Sequence, residues 1–296
     1  MAHMDVFNSD PFKLINMVSA FENQEYVPQY LKQFFTVKSS TTRNISIEEK
    51  SGVLTLIPFS ERGAATEDGE PDDRNMRYFD TVRLAKGNTI NASEIANIRA
   101  FGTESELKQV MTEVSERAEG LKNDHEVTME YLRLGALQGK FMNPKDGTVK
   151  YNWFTEFGVS QATEVNFALG TASTDVIGLI RAERRRIIKE SGGAVTPQTR
   201  VVALCGDNFW DALIAHDAVR ETYLNWAAAE GLRNAESSLF EVFTIGGVDF
   251  TNYRGTDDTK VAVNTDKVIL FPTNVRDNLV HAAAPADEYF DFVNTK

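Results

Sequence analysis

The stretch TESELKQVMTEVSERAEGLKNDHEVTMEYLRLGALQG, residues 103–139, reads as one unbroken helix and decides what kind of molecule this is. Thr103 and Glu106 form a capping box, in which a hydroxyl and a carboxylate satisfy two backbone donors at the helix start. Gly139 suits the stop. Between them Leu107, Val110, Val114, Ala118, Leu121, His125, Thr128, Leu132 and Ala136 recur at steps of three and four, a narrow apolar stripe on a charged rod without a proline. Such a rod would be roughly 55 Å long, whereas a compact domain of this length has a diameter of about 50 Å. A flat or elongated subunit follows. The alternative is two helices kinked near Gly120, because one interior glycine costs about 1 kcal/mol and permits either arrangement.

Roughly a hundred preceding residues lack the periodicity of a self-contained core and read as arms. Arg43 to Glu49 alternates Ile45 and Ile47 with polar partners, Ser51-Gly52 supplies a turn, and Val53 to Ile57, with Leu54 and Leu56, returns as a second apolar run. Glu61 to Asn75, containing Arg62, Asp72 and Asp73, is rich in Gly, Pro and acids, before Met76 to Leu84 resumes a strand-like pattern. A hairpin with a long polar tip is marginal in water, so it must lie on something. In a flat subunit the nearest such surface is a neighbour's; the alternative is a mobile loop on a monomer.

The 296 residues are 42% hydrophobic, enough to bury a core in more than one subdomain. No run of eighteen apolar residues and no signal-peptide pattern occurs, which predicts a soluble intracellular protein. Cys205 is the single cysteine, so no internal disulfide or cysteine-based zinc cage is expected. A net charge of −12 works against wrapping nucleic acid. Met1-Ala2-His3 reads as a tag remnant before Met4 and is set aside.

The second half changes character. Thr174 to Ser191 predicts a helix with Asp175 in its first turn and Gly192-Gly193 as its stop. Val201 to Cys205 predicts a buried strand, Gly206-Asp207-Asn208 a turn with a helix cap, and Phe209 to Trp226 one or two amphipathic helices. Phe240 to Ile245 and Val248 to Tyr253 flank Gly246-Gly247 as a hairpin, and Val261 to Val263 and Val268 to Phe271 read as further strands. The expected class is α+β.

Catalytic chemistry finds no constellation. Cys205 lies in an apolar run that would desolvate its thiol, and His3, His125, His216 and His281 are scattered without metal-ligand spacing. Neither Gly246-Gly247 nor Gly192-Gly193 belongs to a phosphate loop. Asp72-Asp73 and Asp257-Asp258 suit solvated turns better than a catalytic pair. Arg184-Arg185-Arg186 invites a nucleic-acid reading, yet Glu183 and Glu190 stand at helical pairing distance from Arg186, so a solvated or subunit-contacting helix face is preferred. No catalytic residue, metal or cofactor is predicted.

Several blocks carry a family resemblance: Ile47-Glu48-Glu49-Lys50, Ile98-Arg99-Ala100-Phe101-Gly102, Tyr151-Asn152 with Phe154-Thr155-Glu156-Phe157-Gly158, Phe167-Ala168-Leu169-Gly170-Thr171, Ala203-Leu204-Cys205-Gly206, Tyr253-Arg254-Gly255 and Ala284-Pro285-Ala286-Asp287. In order and over nearly the whole chain, they resemble the lambda E-like major capsid proteins of tailed phages and prophages, which have the Hong Kong 97-type shell fold. The resemblance implies a long spine helix, an extended β-hairpin loop and an N-terminal arm. It divides the chain into an arm at 1–40, the extended loop at 41–90, a peripheral domain at 91–160, an axial domain at 161–280 and a return segment at 281–296. Related chains continue past Val293-Asn294-Thr295 with strands flanking the spine, so the chain reads as truncated there.

The implied function is structural: pentamers and hexamers of this chain forming an icosahedral head shell around packaged double-stranded DNA. DNA is enclosed without specific binding, no membrane is involved, and portal, scaffold or protease, and decoration proteins are the implied partners. The virion is the implied location, with host cytoplasm during assembly. An encapsulin-like nanocompartment shell is the alternative, and a small-molecule enzyme on the second half a distant third. The subunit-interface candidates are Ile45, Ile47, Leu54, Leu56, Arg62, Asp72, Asp73, Arg184, Arg185 and Arg186.

Overall fold

A computed structural model describes residues 30–51, 73–91, 106–220, 242–253, 261–276 and 278–285. In chain order, strands β1 (Thr36–Ser39), β2 (Asn44–Ser51) and β3 (Asp73–Asp80) precede helix α1 (Glu106–Leu137), followed by strands β4 (Lys140–Met142) and β5 (Val149–Asn152) and the single turn α2 (Trp153–Glu156). Helix α3 (Val176–Glu190), strand β6 (Arg200–Cys205), helix α4 (Asp207–Ala215) and strands β7 (Val242–Ile245), β8 (Val248–Asn252), β9 (Val268–Thr273) and β10 (Val280–Ala283) complete it. The class is α+β. The chain divides into two compact units. Among the described residues the first holds 30–33, 84–91, 106–164 and 261–262, and the second holds the remainder.

In the first unit α1 is one helix of 32 residues, about 48 Å long, and it passes through Gly120 without interruption. The kinked alternative is therefore discarded. The helix interior is supported by an i,i+4 pair, Arg117 Nε donating to Glu113 at 2.7 Å. Thr103, the expected cap, lies outside the described residues. The stop is as read: Gly139 sits at φ +75 and its N–H reaches the Ala136 carbonyl at 2.9 Å. A Cβ there would also stand 2.3 Å from the Phe154 ring, so both backbone and space require glycine.

Burial along α1 differs from the predicted stripe. Val114, Ala118, Leu121, His125 and Leu132 are only half-buried, while Glu130, Arg133 and Leu134 are buried. The reason is the short helical turn Leu31–Phe34, whose Leu31 is fully buried and donates its N–H to Glu130 Oε1 at 2.9 Å. Arg133 Nη1 meets the other Glu130 oxygen at 3.4 Å. Residues 84–91 run along the same helix in the opposite direction: Lys86 pairs with Asp124, and Arg117 Nη1 reaches the Thr89 carbonyl at 3.5 Å. Three residues of extended chain and seven of helix both advance roughly 10 Å, so the spacing matches.

The second unit contains a four-stranded sheet in the order β7-β8-β6-β9, with β8 parallel and β9 antiparallel to β6. Val201, Ala203 and Cys205 of β6 join Phe243, Ile245, Val248 and Phe250 in one core with Val176 and Ile180 of α3 and Phe209, Trp210 and Leu213 of α4. The β7–β8 turn is Gly246-Gly247 at φ +62 and +80, as its sequence predicts. Asp175 caps α3, its Oδ1 accepting the Gly178 N–H at 2.8 Å. The expected helical stretch after Phe209 proves to be α4 followed at 217–220 by a second helical segment, with buried His216 between.

Three expectations are corrected. Strand β2 continues through Ser51, where a turn was expected, and its partner is Asp73–Asp80, in the register Asn44↔Asp80 to Ser51↔Asp73, rather than Val53 to Ile57. Those residues lie outside the described set. Asp73, Arg74 and Asn75, assigned to the polar tip, belong to β3, because the cross-strand ladder extends beyond the apolar alternation. Val261 to Val263 is no strand, and only Ala262 is bridged. The parallel pair β1–β10 and the hairpin β4–β5 were not foreseen.

Candidate functional site

Catalytic geometry is absent where the sequence offered a nucleophile. Cys205 has no exposed surface, and burial pushes its thiol far above the usual range, so it stays protonated and inert. His216 is also held within its own subunit: Nε2 lies 3.1 Å from the Thr171 carbonyl while Nδ1 accepts the Ala218 N–H at 3.3 Å. That assigns the ring's one proton to Nε2 in the neutral form. Among the described residues no group of three His, Cys, Asp or Glu side chains could hold a metal ion, and no helix is long and apolar enough to cross a membrane.

The candidates of the ribbon β2–β3 divide by face. Ile45 and Ile47 point the same way, opposite Phe79 and Arg77. Ile45 is half-buried across from buried Phe79, so it supports packing within its own subunit, whereas Ile47 is 37% exposed. The opposite face carries Tyr78 and Met76, 66% and 52% exposed, with the Tyr78 hydroxyl on the Met76 sulfur at 2.9 Å. Both fall in the strand-like pattern read from Met76 onward, but alternation alone does not say which face of a strand is left exposed. Leu54, Leu56, Arg62 and Asp72 lie outside the described residues, and Asp73 forms the last ladder pair with Ser51.

The three arginines of α3 have three different settings. Arg186 is paired with Glu183, its Nε and Nη2 standing 2.8 and 2.5 Å from one carboxylate oxygen. Arg184 lays its guanidinium over the β7–β8 turn, so that a Cβ on Gly247 would meet Cζ, Nε and Nη1 each at 3.1 Å. Arg185 is exposed and has no ion-pair partner among the described residues. Arg181 and Lys189, absent from the sequence-derived candidates, are exposed in the same way at positions i−4 and i+4 from Arg185. Consecutive arginines stand about 100° apart on a helix, so Arg185 shares its face with Arg181 and Lys189.

A further surface lies on the first unit. Tyr151 stacks on Trp153 at 5.7 Å, flanked by Phe141 at 6.3 Å and by Phe157 at 6.1 Å from Trp153, and all four rings are half-buried. Asn152 organises it by capping α2, its Oδ1 accepting the Phe154 N–H at 3.2 Å. These features are surfaces, with no cleft chemistry among them.

Comparison with known proteins agrees with that character. Residues 14–296 match the family described as phage major capsid protein E. The major capsid protein of Pseudomonas phage KPP10 is 29% identical over 280 residues, covering 88% of this chain and 78% of its own length.

Proposed function

Because the chain belongs to the phage major capsid protein E family and is thus a structural protein of a phage capsid, we propose that it builds the head shell as pentamers and hexamers with the Hong Kong 97-type fold. The observation that carries this beyond the family is the 32-residue helix α1, only half-buried over most of its described surface, together with a two-stranded ribbon that joins no other sheet among the described residues. Neither element completes its burial within its own strand or helix partners, which suits a subunit finished by copies of itself.

On this reading α1 is the spine of a peripheral domain spanning 91–160, the ribbon is the base of an extended loop over 41–90, and the β6-centred sheet belongs to an axial domain over 161–280. Residues 1–40 serve as an arm and 281–296 as a return segment. The shell encloses double-stranded DNA without gripping it, since an acidic wall repels phosphates and lets the genome slide. Portal, scaffold or protease, and decoration proteins complete the set of partners, and assembly takes place in host cytoplasm. The chain works without catalysis or cofactor.

The test is assembly of the full chain co-expressed with its portal and scaffold, followed by light scattering and negative-stain microscopy. Closed shells with fivefold and sixfold clusters are expected. A compact monomer under those conditions would refute the reading.

A further inference from the structure

Identical acidic subunits face an electrostatic problem. Each copy carries −12, so bringing copies together is repulsive at long range unless two different patches of the same chain are complementary. Ring-forming contacts are head-to-tail and so join unlike patches. The chain supplies one pair of the right kind. Five of its 31 basic residues fall between Arg181 and Lys189, and five of the seven residues from Glu67 to Asp73 are acidic.

Structure narrows the basic patch. With Arg186 paired to Glu183 and Arg184 seated on the Gly247 turn, the exposed charges without an ion-pair partner among the described residues are Arg181, Arg185 and Lys189. They repeat every four residues on α3, so their rise along the axis is about 6 Å per step. In the acidic segment Asp68, Glu70 and Asp72 alternate with Gly69 and Pro71. Pro71 biases Glu70 away from helix toward extended backbone. An extended chain places alternate side chains on one side roughly 6.6 Å apart, close to the spacing of the three cations.

We propose that the α3 stripe Arg181, Arg185 and Lys189 is a docking surface for the acidic segment Glu67–Asp73 of a second copy of this chain. The inference rests on the shell reading and names one contact within it. The segment adjoins the last ribbon pair, Ser51↔Asp73, so Asp68, five residues from Asp73, can stand up to about 17 Å beyond the end of the ribbon. The arrangement also explains why like charges are kept at i,i+4 on α3, where they oppose the helix itself.

The test uses the full chain in the assembling co-expression system. R181E/R185E/K189E and D68K/E70K/D72K are made separately and combined, and shell yield is read by sedimentation at about 0.1 M salt, where exposed charges still act over about 10 Å. Each reversed set is expected to lower shell yield at least tenfold, and the combination to recover most of it. A third variant, R181Q/R185Q/K189Q, controls for folding: its unassembled subunit should melt no lower than the unmodified one, while its shell yield falls. Undiminished yield from either reversed set overturns the proposal, as does a combined variant that melts normally and does not recover. Normal yield of shells that fail to retain DNA would assign the stripe to nucleic acid and equally overturn it. Absence of shells from the unmodified chain would instead refute the reading on which this contact rests.

Discussion

Glu130→Ala tests how α1 is tied to the rest of its unit. Glu130 and Arg133 each keep only 7% of their surface exposed, and Glu130 is the acceptor for the N–H of fully buried Leu31. Truncation strands that N–H, at about 1–3 kcal/mol. It also removes one member of a buried ion pair, for which about 3–5 kcal/mol is usual. The two costs overlap, the pair is long at 3.4 Å, and Arg133 has further contacts, so the expected loss is about 3 kcal/mol. With a urea slope of about 3 kcal/mol/M the midpoint for the first unit would fall by roughly 1 M. Glu130→Gln keeps an acceptor for Leu31 while discharging the pair, and should cost about half as much. Urea titration of the unassembled subunit, followed by α1 amide exchange, measures both. A loss under 1 kcal/mol for the alanine variant, or equal losses for the two, would refute the claim that this carboxylate clamps residues 30–33 to the helix.

Gly120→Ala should stabilise the free subunit by up to about 1 kcal/mol, since a Cβ there meets nothing within 4 Å; a lower melting temperature would mean the helix bends at this point in solution. Cys205 should resist maleimide at pH 8 in the folded chain and react fully in urea; rapid labelling of the native protein would contradict its burial. The same thiol is protonated in the folded state above its ordinary value of 9.0, where the unfolded chain releases the proton, so its contribution to stability is intact below pH 9 and declines above it by about 1.4 kcal/mol per pH unit. Cys205→Ala should flatten that decline in alkaline melts. Ile45→Asp should lower the subunit's own melting temperature through Phe79, while Ile47→Asp should leave it nearly unchanged and reduce shell yield; equal melts would show that the ribbon's two isoleucines do not differ as their exposures indicate.

Local signals in the chain were readable where one residue sets the geometry. Gly139 and Gly246-Gly247 stop and turn as their chemistry requires, whereas Asp175, read as a first-turn residue, is the cap of α3. The buried run Val201 to Cys205 and the absence of a reactive cysteine were equally legible, because continuous apolar sequence fixes both burial and desolvation. What escaped depends on distant partners. Nothing in Asn44–Ser51 says that its mate begins at Asp73, since the 21 residues between encode no register. Nothing in the sequence around Glu130 signals its burial, because the N–H it accepts belongs to Leu31, 99 positions away. Which of the three adjacent arginines lacks a local partner was not legible, because they stand about 100° apart on a helix and the Gly247 turn that Arg184 covers is more than sixty residues away.

The half-buried state of α1 connects these local facts to assembly. Helices in proteins owe most of their stability to packing of one face rather than to propensity. Along α1 the buried residues gather at Glu130, Arg133 and Leu134, while Met111 and Val127 remain 37% and 44% exposed and Gly120 adds no side chain. The C-terminal part is therefore secured by its own unit, through Leu31 and the Gly139 turn, and the preceding turns hold unused apolar surface. On the proposed reading a neighbouring copy covers that surface, and any ligand that binds only the folded helix stabilises it in proportion to the logarithm of its concentration over its dissociation constant. Folding and shell formation are then coupled at this helix: each contact that buries its exposed apolar surface against a copy adds to the stability of the helix itself.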